Sequence, residues 1–363
     1  MQTTQTFRNH TVYPDNNFEL LELRAGKWDV YQEKNTETAT FKGKNKQVRS
    51  GLTFTPYANP TRCNAHCRFC SEELQRRHQK FLTAQNTISD YTRYFEALKN
   101  VLADLSTIQN IGLSLSGLEA TSDPQWLLAF LKTLGGHHVP KFNEKVLYTN
   151  SSGLHNSPEL IYGLRDAGFD RLEISRCHYN DTINQSIMYI NRNEPVYRNQ
   201  AYEQLIQTVL QHVPVKNSCI LTKVGINSIS EVERYLDWAL SLGVKQVVFR
   251  ELSRLDDTYI NNKTKMWVEQ NRVPIDLLLV EVMPDFNEQR KHWQYAHSKA
   301  GYYYYNEHFC YKDEVEVIME TSSYNELISR NESDVVQKLV FHSNGNLCGD
   351  WDPENHIIGN YFS

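Results

Sequence analysis

From about Gly51 to Leu252 the chain alternates short runs of β-branched and apolar residues with longer runs whose apolar positions recur every three or four residues. The first kind reads as strand and the second as amphipathic helix. Gly51 to Tyr57 is the first strand. A helix over roughly Ser89 to Leu105 follows, with Tyr94, Leu98, Val101, Leu102 and Leu105 along one stripe. Ile111 to Ser116, Lys145 to Asn150, Asp170 to Ser175, Asn217 to Lys223 and Gln246 to Glu251 supply five more strands. Helix starts are signalled locally. Asp123-Pro124 and Ser157-Pro158-Glu159 place proline in the first helical turn, where its missing N–H costs nothing. Ser230 and Glu233 form a capping box for the run carrying Val232, Leu236, Ala239 and Leu240.

Strands joined by helical crossovers run parallel. Six such units predict an α/β fold, a partial (β/α)6 TIM-type barrel; a doubly wound sheet gives the same pattern. Three regions are expected: residues 1–50 as an N-terminal extension, 51–252 as the barrel, and 253–363 as a strand-containing tail that covers the substrate. The tail reads as irregular to about Gly301, then strand-like at Val315 to Met319 and Lys338 to Cys348, with Ser343-Asn344-Gly345-Asn346 as a hairpin turn. Lys42 to Lys46 reads as a solvated loop.

Composition narrows the class. A chain of 363 residues with 40% hydrophobic and 22% charged residues is globular and long enough for a large core. A net charge of -5 offers no electrostatic footprint for nucleic acid or an anionic membrane. Met1 to Arg8 lacks the apolar core of a signal peptide, and no run is long enough to span a bilayer. Seven cysteines, three of them in one loop, do not read as a disulfide framework. The expected setting is therefore a reducing, cytoplasmic one.

Those three are the most informative residues in the chain: Cys63-Asn-Ala-His-Cys67-Arg-Phe-Cys70. They offer three thiolates to one metal centre. Thiolates are the usual ligands of iron–sulfur clusters, and a [4Fe–4S] cube held by three keeps one iron open. A structural zinc site needs four ligands; His66, inside the loop, is available as the fourth, which keeps a zinc-stabilised binding protein as the alternative from outside the enzymes. The C-x3-C-x2-C spacing, preceded by Asn59-Pro60-Thr61-Arg62 and carrying Phe69 before its last cysteine, resembles the signature of the radical S-adenosylmethionine (SAM) superfamily. That resemblance implies a partial barrel with Cys63, Cys67 and Cys70 on the cluster. Its SAM-binding positions match Phe69, then Ser116-Gly117-Leu118-Glu119 for the family's Gly-Gly-Glu-Pro loop, in which Glu119 holds the methionine amino group. Thr149-Asn150-Ser151 is similar to the family's Thr-Asn-Gly, and Ser175-Arg176 falls where ribose and carboxylate contacts lie. Leucine and alanine stand at the second glycine and the proline of the first motif.

The fifth and sixth units look like the branch containing the GTP-cyclising enzyme of molybdenum-cofactor synthesis, so the resemblance covers about 200 residues. The tail departs from that branch: Cys310 and Cys348 stand alone, without its second cysteine triplet. The implied activity is reductive SAM cleavage and hydrogen abstraction from a polar small molecule in biosynthesis, served by an electron donor of flavodoxin or ferredoxin type. A peptide-modifying relative, such as an epimerase, is the alternative. Arg176, Lys223, Arg250 and Arg254 follow strand ends and suit a carboxylate or phosphate, unless Glu173 and Glu251 balance them. His178 and Tyr179 stand as proton donors or as a packed pair. Cys348, and after it Cys310, is the candidate hydrogen-atom donor to a substrate radical, against the alternative of a small core residue.

Overall fold

The computed structural model describes residues 5–7, 10–12, 36–57, 63–74, 87–283, 290–300, 303–324, 327 and 334–362. The six expected strands are all present: β1 (Leu52–Pro56), β2 (Ile111–Leu115), β3 (Lys145–Thr149), β4 (Arg171–Ser175), β5 (Val215–Ile220) and β6 (Gln246–Arg250). Each pairs in parallel with the next. The tail adds β7 (Val315–Ser322) in parallel beside β6, and β8 (Leu339–Phe341) in parallel beside β1. The parallel run is thus β8-β1-β2-β3-β4-β5-β6-β7, the circular order of an eight-stranded barrel, with no pairing between β7 and β8 among the described residues. Antiparallel strands extend both edges: Tyr304–Tyr311 and Trp293–Ala300 beyond β7, Asn346–Cys348 and Ile357–Asn360 beyond β8.

Helices between the strands begin where the chain supplies caps. The Asp90 carboxylate accepts from Arg93 N at 3.0 Å to start α1 (Tyr91–Leu105), and all five residues of the expected stripe are buried. Asp123 accepts from Trp126 N at 2.8 Å and Pro124 follows at the start of α2 (Pro124–Leu134). After β3 come α3 (Ser152–Asn156) and α4 (Glu159–Asp166); α5 (Asp181–Ile187) and α6 (Asn199–Leu210) follow β4. The next helix, α7 (Ile229–Ser241), starts two residues before the expected capping box: the Ser228 hydroxyl accepts from Glu231 N at 3.4 Å.

Alternation along the strands separates two faces. Leu113, Leu147, Ile174, Val215, Phe249, Val317 and Phe341 share one continuous core with the apolar stripes of the helices. The alternate positions carry polar and charged groups to the concave side. There Arg250 pairs with Glu173 and, at 2.5 Å, with Glu320, and donates to the Ser218 hydroxyl at 2.6 Å; Lys216 lies 3.9 Å from Glu173.

The segment after residue 252 is not irregular. It forms α8 (Lys263–Asn271), α9 (Ile275–Val282) and an antiparallel hairpin before β7. The expected turn at 343–346 is present, with Gly345 at φ +80° joining β8 to the antiparallel strand after it. Lys42 and Gly43, both at positive φ, make a two-residue hairpin between Thr36–Phe41 and Lys44–Arg49, so the basic run is a turn flanked by strands rather than an open loop. No helix among the described residues is long and apolar enough to cross a membrane.

The tail strand β8 is part of the core. Phe341 is fully buried with its ring 5.2 Å from that of Tyr94 on α1. Phe341→Ala is expected to lower unfolding stability by about 3–5 kcal/mol, read from urea denaturation; a loss below about 1 kcal/mol would show that the tail packs loosely.

Candidate active site

Parallel strands gather their following loops at one end, and the cysteine segment lies there, past β1. Ala65–Cys67 pairs antiparallel with Met188–Ile190, and Arg68 N donates to Ile187 O at 3.0 Å. Asn64 is the tether. Its amide nitrogen donates to Ser152 Oγ (2.8 Å) and Glu194 Oε1 (3.0 Å), and its oxygen accepts from Asn150 Nδ2 at 2.9 Å. The same Asn150 nitrogen lies 4.0 Å from Cys63 Sγ. On the other side Asn262, the cap of α8, donates to Glu73 O at 2.7 Å. Asn59 to Arg62 lie outside the described residues.

All three thiols are free and half-buried. Burial raises the Cys63 thiol to about 12 and Cys70 to about 11, and lifts Cys67 well above the ordinary value, with Cys177 nearby adding to the effect. A metal taking these thiols would displace their protons. Among the described residues no three His, Cys, Asp or Glu side chains already converge as a ligand set. His66 alternates with Cys67 on its strand and packs beside Tyr189, ring centroids 6.3 Å apart, which puts it on the face opposite Cys67. The zinc alternative thereby loses its local fourth ligand.

The second loop is held against the third strand end by one carboxylate. Glu119 is 4% exposed; Oε1 accepts from Thr121 N (3.1 Å), Thr121 Oγ1 (2.6 Å) and Thr149 Oγ1 (2.6 Å), and Oε2 from Asn150 N (2.6 Å). Burial pushes its pKa above the usual carboxylate range, while these donors pull it back. Both oxygens are thus engaged by the protein, so Glu119 positions the loop and Asn150. Gly117 sits at φ +100°, and a Cβ there would lie 1.8 Å from the Tyr57 ring. Ser151 stands at φ +69°, a left-handed position where the family's motif carries glycine. A cavity of about 10 Å³, room for one water, lies between Tyr57, Ser116, Leu118 and Trp126.

Other expected site residues are dispersed. Phe69 packs among Ile220, Trp267 and Leu252, beside the cysteine loop. Ser175 lies on the concave face opposite Ser218. Arg176 does not reach the mouth: it is fully buried on the helix side, donating to Val196 O (2.9 Å) and Asn199 Oδ1, with its guanidinium 4.7 Å over Tyr202. Arg250 and Glu173 are mutually paired, so the internal-balance alternative holds for Arg250, whereas Glu251 pairs at 2.5 Å with Arg272, outside the expected cation group. His178 and Tyr179 pack together, ring centroids 4.3 Å apart, with the Tyr179 hydroxyl donating to Glu231 at 2.7 Å. Cys310 faces Glu316, which faces Gln246 at the start of β6; that is the opposite end of the barrel from the cysteine loop. Cys348 lies at the correct end, opposite Val340, but its fully buried thiol donates to Pro353 O at 3.7 Å beneath the turn that follows. Sequence reasoning missed Asn64, though it lies inside the cysteine motif, and missed Tyr57, Glu194 and Asn262, which carry no local signal.

Neither a protein-family model nor a curated protein matches the sequence. Solved structures do match. Streptococcus suis SuiB bound to its precursor peptide SuiA aligns with a TM-score of 0.54 at 13% identity, over 86% of this chain and 63% of that one. Native anSMEcpe with bound AdoMet and Cp18Cys peptide gives 0.46 at 12% identity, over 86% and 77%. Coproporphyrinogen III oxidase (HemN) from Escherichia coli, a radical SAM enzyme, gives 0.38 at 15%, over 61% and 51%. The chain shares its fold with SuiB. The chain spans less than two thirds of SuiB. Within this fold, the three loops at 63–70, 116–119 and 149–151 are contiguous through Asn64, Asn150 and Glu119.

Glu119→Gln places an amide N–H against groups that only donate or already donate. Loss of a charge-assisted bond costs about 1.5–3 kcal/mol, so stability is expected to fall by at least that much in chemical denaturation. An unchanged midpoint would mean the carboxylate does not hold the two loops together.

Proposed function

We propose that this chain is a radical SAM enzyme that acts on a polar small molecule. One observation carries the reading: three free cysteines on one loop, at the carboxyl end of the parallel strands, joined through Asn64 to Asn150 and through Asn150 to the Glu119 loop. The donor set fits a [4Fe–4S] cube in type and number, since three thiols on one loop leave a fourth iron without a protein ligand. Cys63, Cys67 and Cys70 would hold it, closing together as the metal binds. When bound, the cube supplies the electron that cleaves SAM to methionine and a 5'-deoxyadenosyl radical, which takes a hydrogen atom from the substrate. The chain's own groups do the rest. Asn64 and Glu194 fix the cysteine loop, Glu119 fixes Asn150, and Gly117 lets the Tyr57 ring close against the second loop. Cys67 and Phe69 of the loop pack with Trp267 against the cluster of Cys177, Ile187 and Met188. Electrons come from a flavodoxin- or ferredoxin-type donor.

The polar concave face, with Arg250, Glu173, Glu320, Lys216 and Ser218, supports a polar substrate. A peptide substrate is the second reading, favoured by the alignment with a structure that holds a precursor peptide.

Anaerobic reconstitution tests the cluster. The wild type is expected to take up about four irons and to release 5'-deoxyadenosine from SAM with dithionite. Cys63→Ala, Cys67→Ala and Cys70→Ala are each expected to abolish both; SAM cleavage by any one of them would sink the reading. A hydrogen-donor role for Cys348 requires the turn bearing Pro353 to lift away. If it does, turnover in deuterium oxide should place one deuterium in the product, and Cys348→Ser should cleave SAM without forming product. Full turnover by the serine variant would leave Cys348 as a core residue.

A further inference from the structure

The concave side of β8 carries a buried ammonium without a hydrogen-bond partner among the described residues. Leu339 and Phe341 face the core, so Lys338, Val340 and His342 present to the other side. Lys338 is 4% exposed, and its Nζ has no hydrogen-bond partner among the described residues. The Trp351 ring lies over it, 4.9 Å from Nζ to centroid. Tyr57 meets Trp351 edge-on at 5.0 Å and His342 at 5.8 Å, and the same tyrosine closes over Gly117 of the second motif loop. The wall carrying Lys338 is therefore continuous with the motif loops.

The neighbouring titratable groups do not satisfy it. His342 donates from Nε2 to Asp350 O at 3.3 Å, and burial pulls its pKa to about 4, so it is neutral and adds no competing charge. Asp350 acts on Lys338 at longer range, while its own oxygens accept from Trp351 N at 2.6 Å and Asn355 Nδ2 at 3.4 Å. Burial brings the Lys338 amine down to about 8, the direction expected of a cation kept from water without a close anion. A buried ammonium with three unmet N–H donors destabilises a fold, and one aromatic face compensates only part of that. An anion entering beside Trp351 supplies both the charge and the acceptors.

We infer that Lys338 anchors an anion subsite that takes a carboxylate or phosphate group of the substrate, with Trp351 as its cover and Tyr57 as the wall toward the cysteine loop. This rests on the reading of the concave face as the substrate site. The test uses the full chain without iron, titrated calorimetrically with inorganic phosphate and with succinate in low-salt buffer, sodium chloride serving as the ionic-strength control. Saturable binding of one anion, weakened at least tenfold in Lys338→Met, is the expected result, and which anion binds assigns phosphate or carboxylate. The Lys338→Met chain without anion is expected to melt at or above the wild-type temperature, since it no longer buries an unpaired charge. Four results overturn the assignment: no saturable binding by the wild type, equal binding by the variant, a melting temperature several degrees lower in the variant, or a tenfold loss of SAM affinity, which would put the ammonium on the cofactor's own carboxylate. The anion titrations and the melting temperatures do not depend on cluster assembly, and the SAM affinity is compared on reconstituted protein, so a failure of the radical SAM reading appears separately, in the cysteine variants.

Discussion

Parallel register is the constraint on which the rest of this molecule depends. Each strand from β8 through β7 enters the sheet in the same direction, so every following loop emerges at one end and every helix returns along one face. That face must be apolar, because helices bury it; the other is released from that demand. The release is used. Positions alternating with Ile174, Val215, Phe249 and Met319 hold Glu173, Lys216, Arg250 and Glu320, a charged set that pairs with itself rather than with solvent. Such a set contributes little to net stability and fixes side-chain directions within the concave space.

At the loop end, amides and one acid replace what a metal centre alone would otherwise have to organise. Asn64, Asn150 and Glu194 form a chain of neutral and charged hydrogen bonds around Cys63, and Glu119 carries it into the second loop. Three loops far apart in sequence thereby move as one unit. Close backbone approach completes the arrangement: a Cβ at Gly153 would lie 1.7 Å from Thr121 O, so α3 packs directly on the loop that Glu119 holds.

The six barrel strands were legible because period-two alternation and turn residues mark them without reference to tertiary contacts. Elements without a start signal were not. α6 begins at Arg198 with no side-chain cap, although Tyr202, Leu205, Ile206 and Val209 make a clear stripe. α8 buries Lys265 and Asn271 alongside Val268, which erases amphipathicity, and α9 follows Pro274 without a cap. Site residues divide in the same way. Chain position places Arg176 at the right end of β4, but alternation after Ser175 turns its side chain to the helix side, where Tyr202 and Asn199 receive it. Glu119 was read at the right place, but a glycine–acid loop does not reveal that two threonines and the Asn150 amide also donate to its carboxylate.

The two margins of the parallel run have an evolutionary consequence. Both β7 and β8 come from the segment after residue 252, and the hairpins beyond them belong to it as well. The strands at both margins are therefore encoded apart from the loops that carry the cysteines, Glu119 and Asn150. Lengthening or trimming either margin would change the flanks of the sheet while the cysteine-bearing end stays as it is. The two can thus drift under separate selection within one continuous sheet.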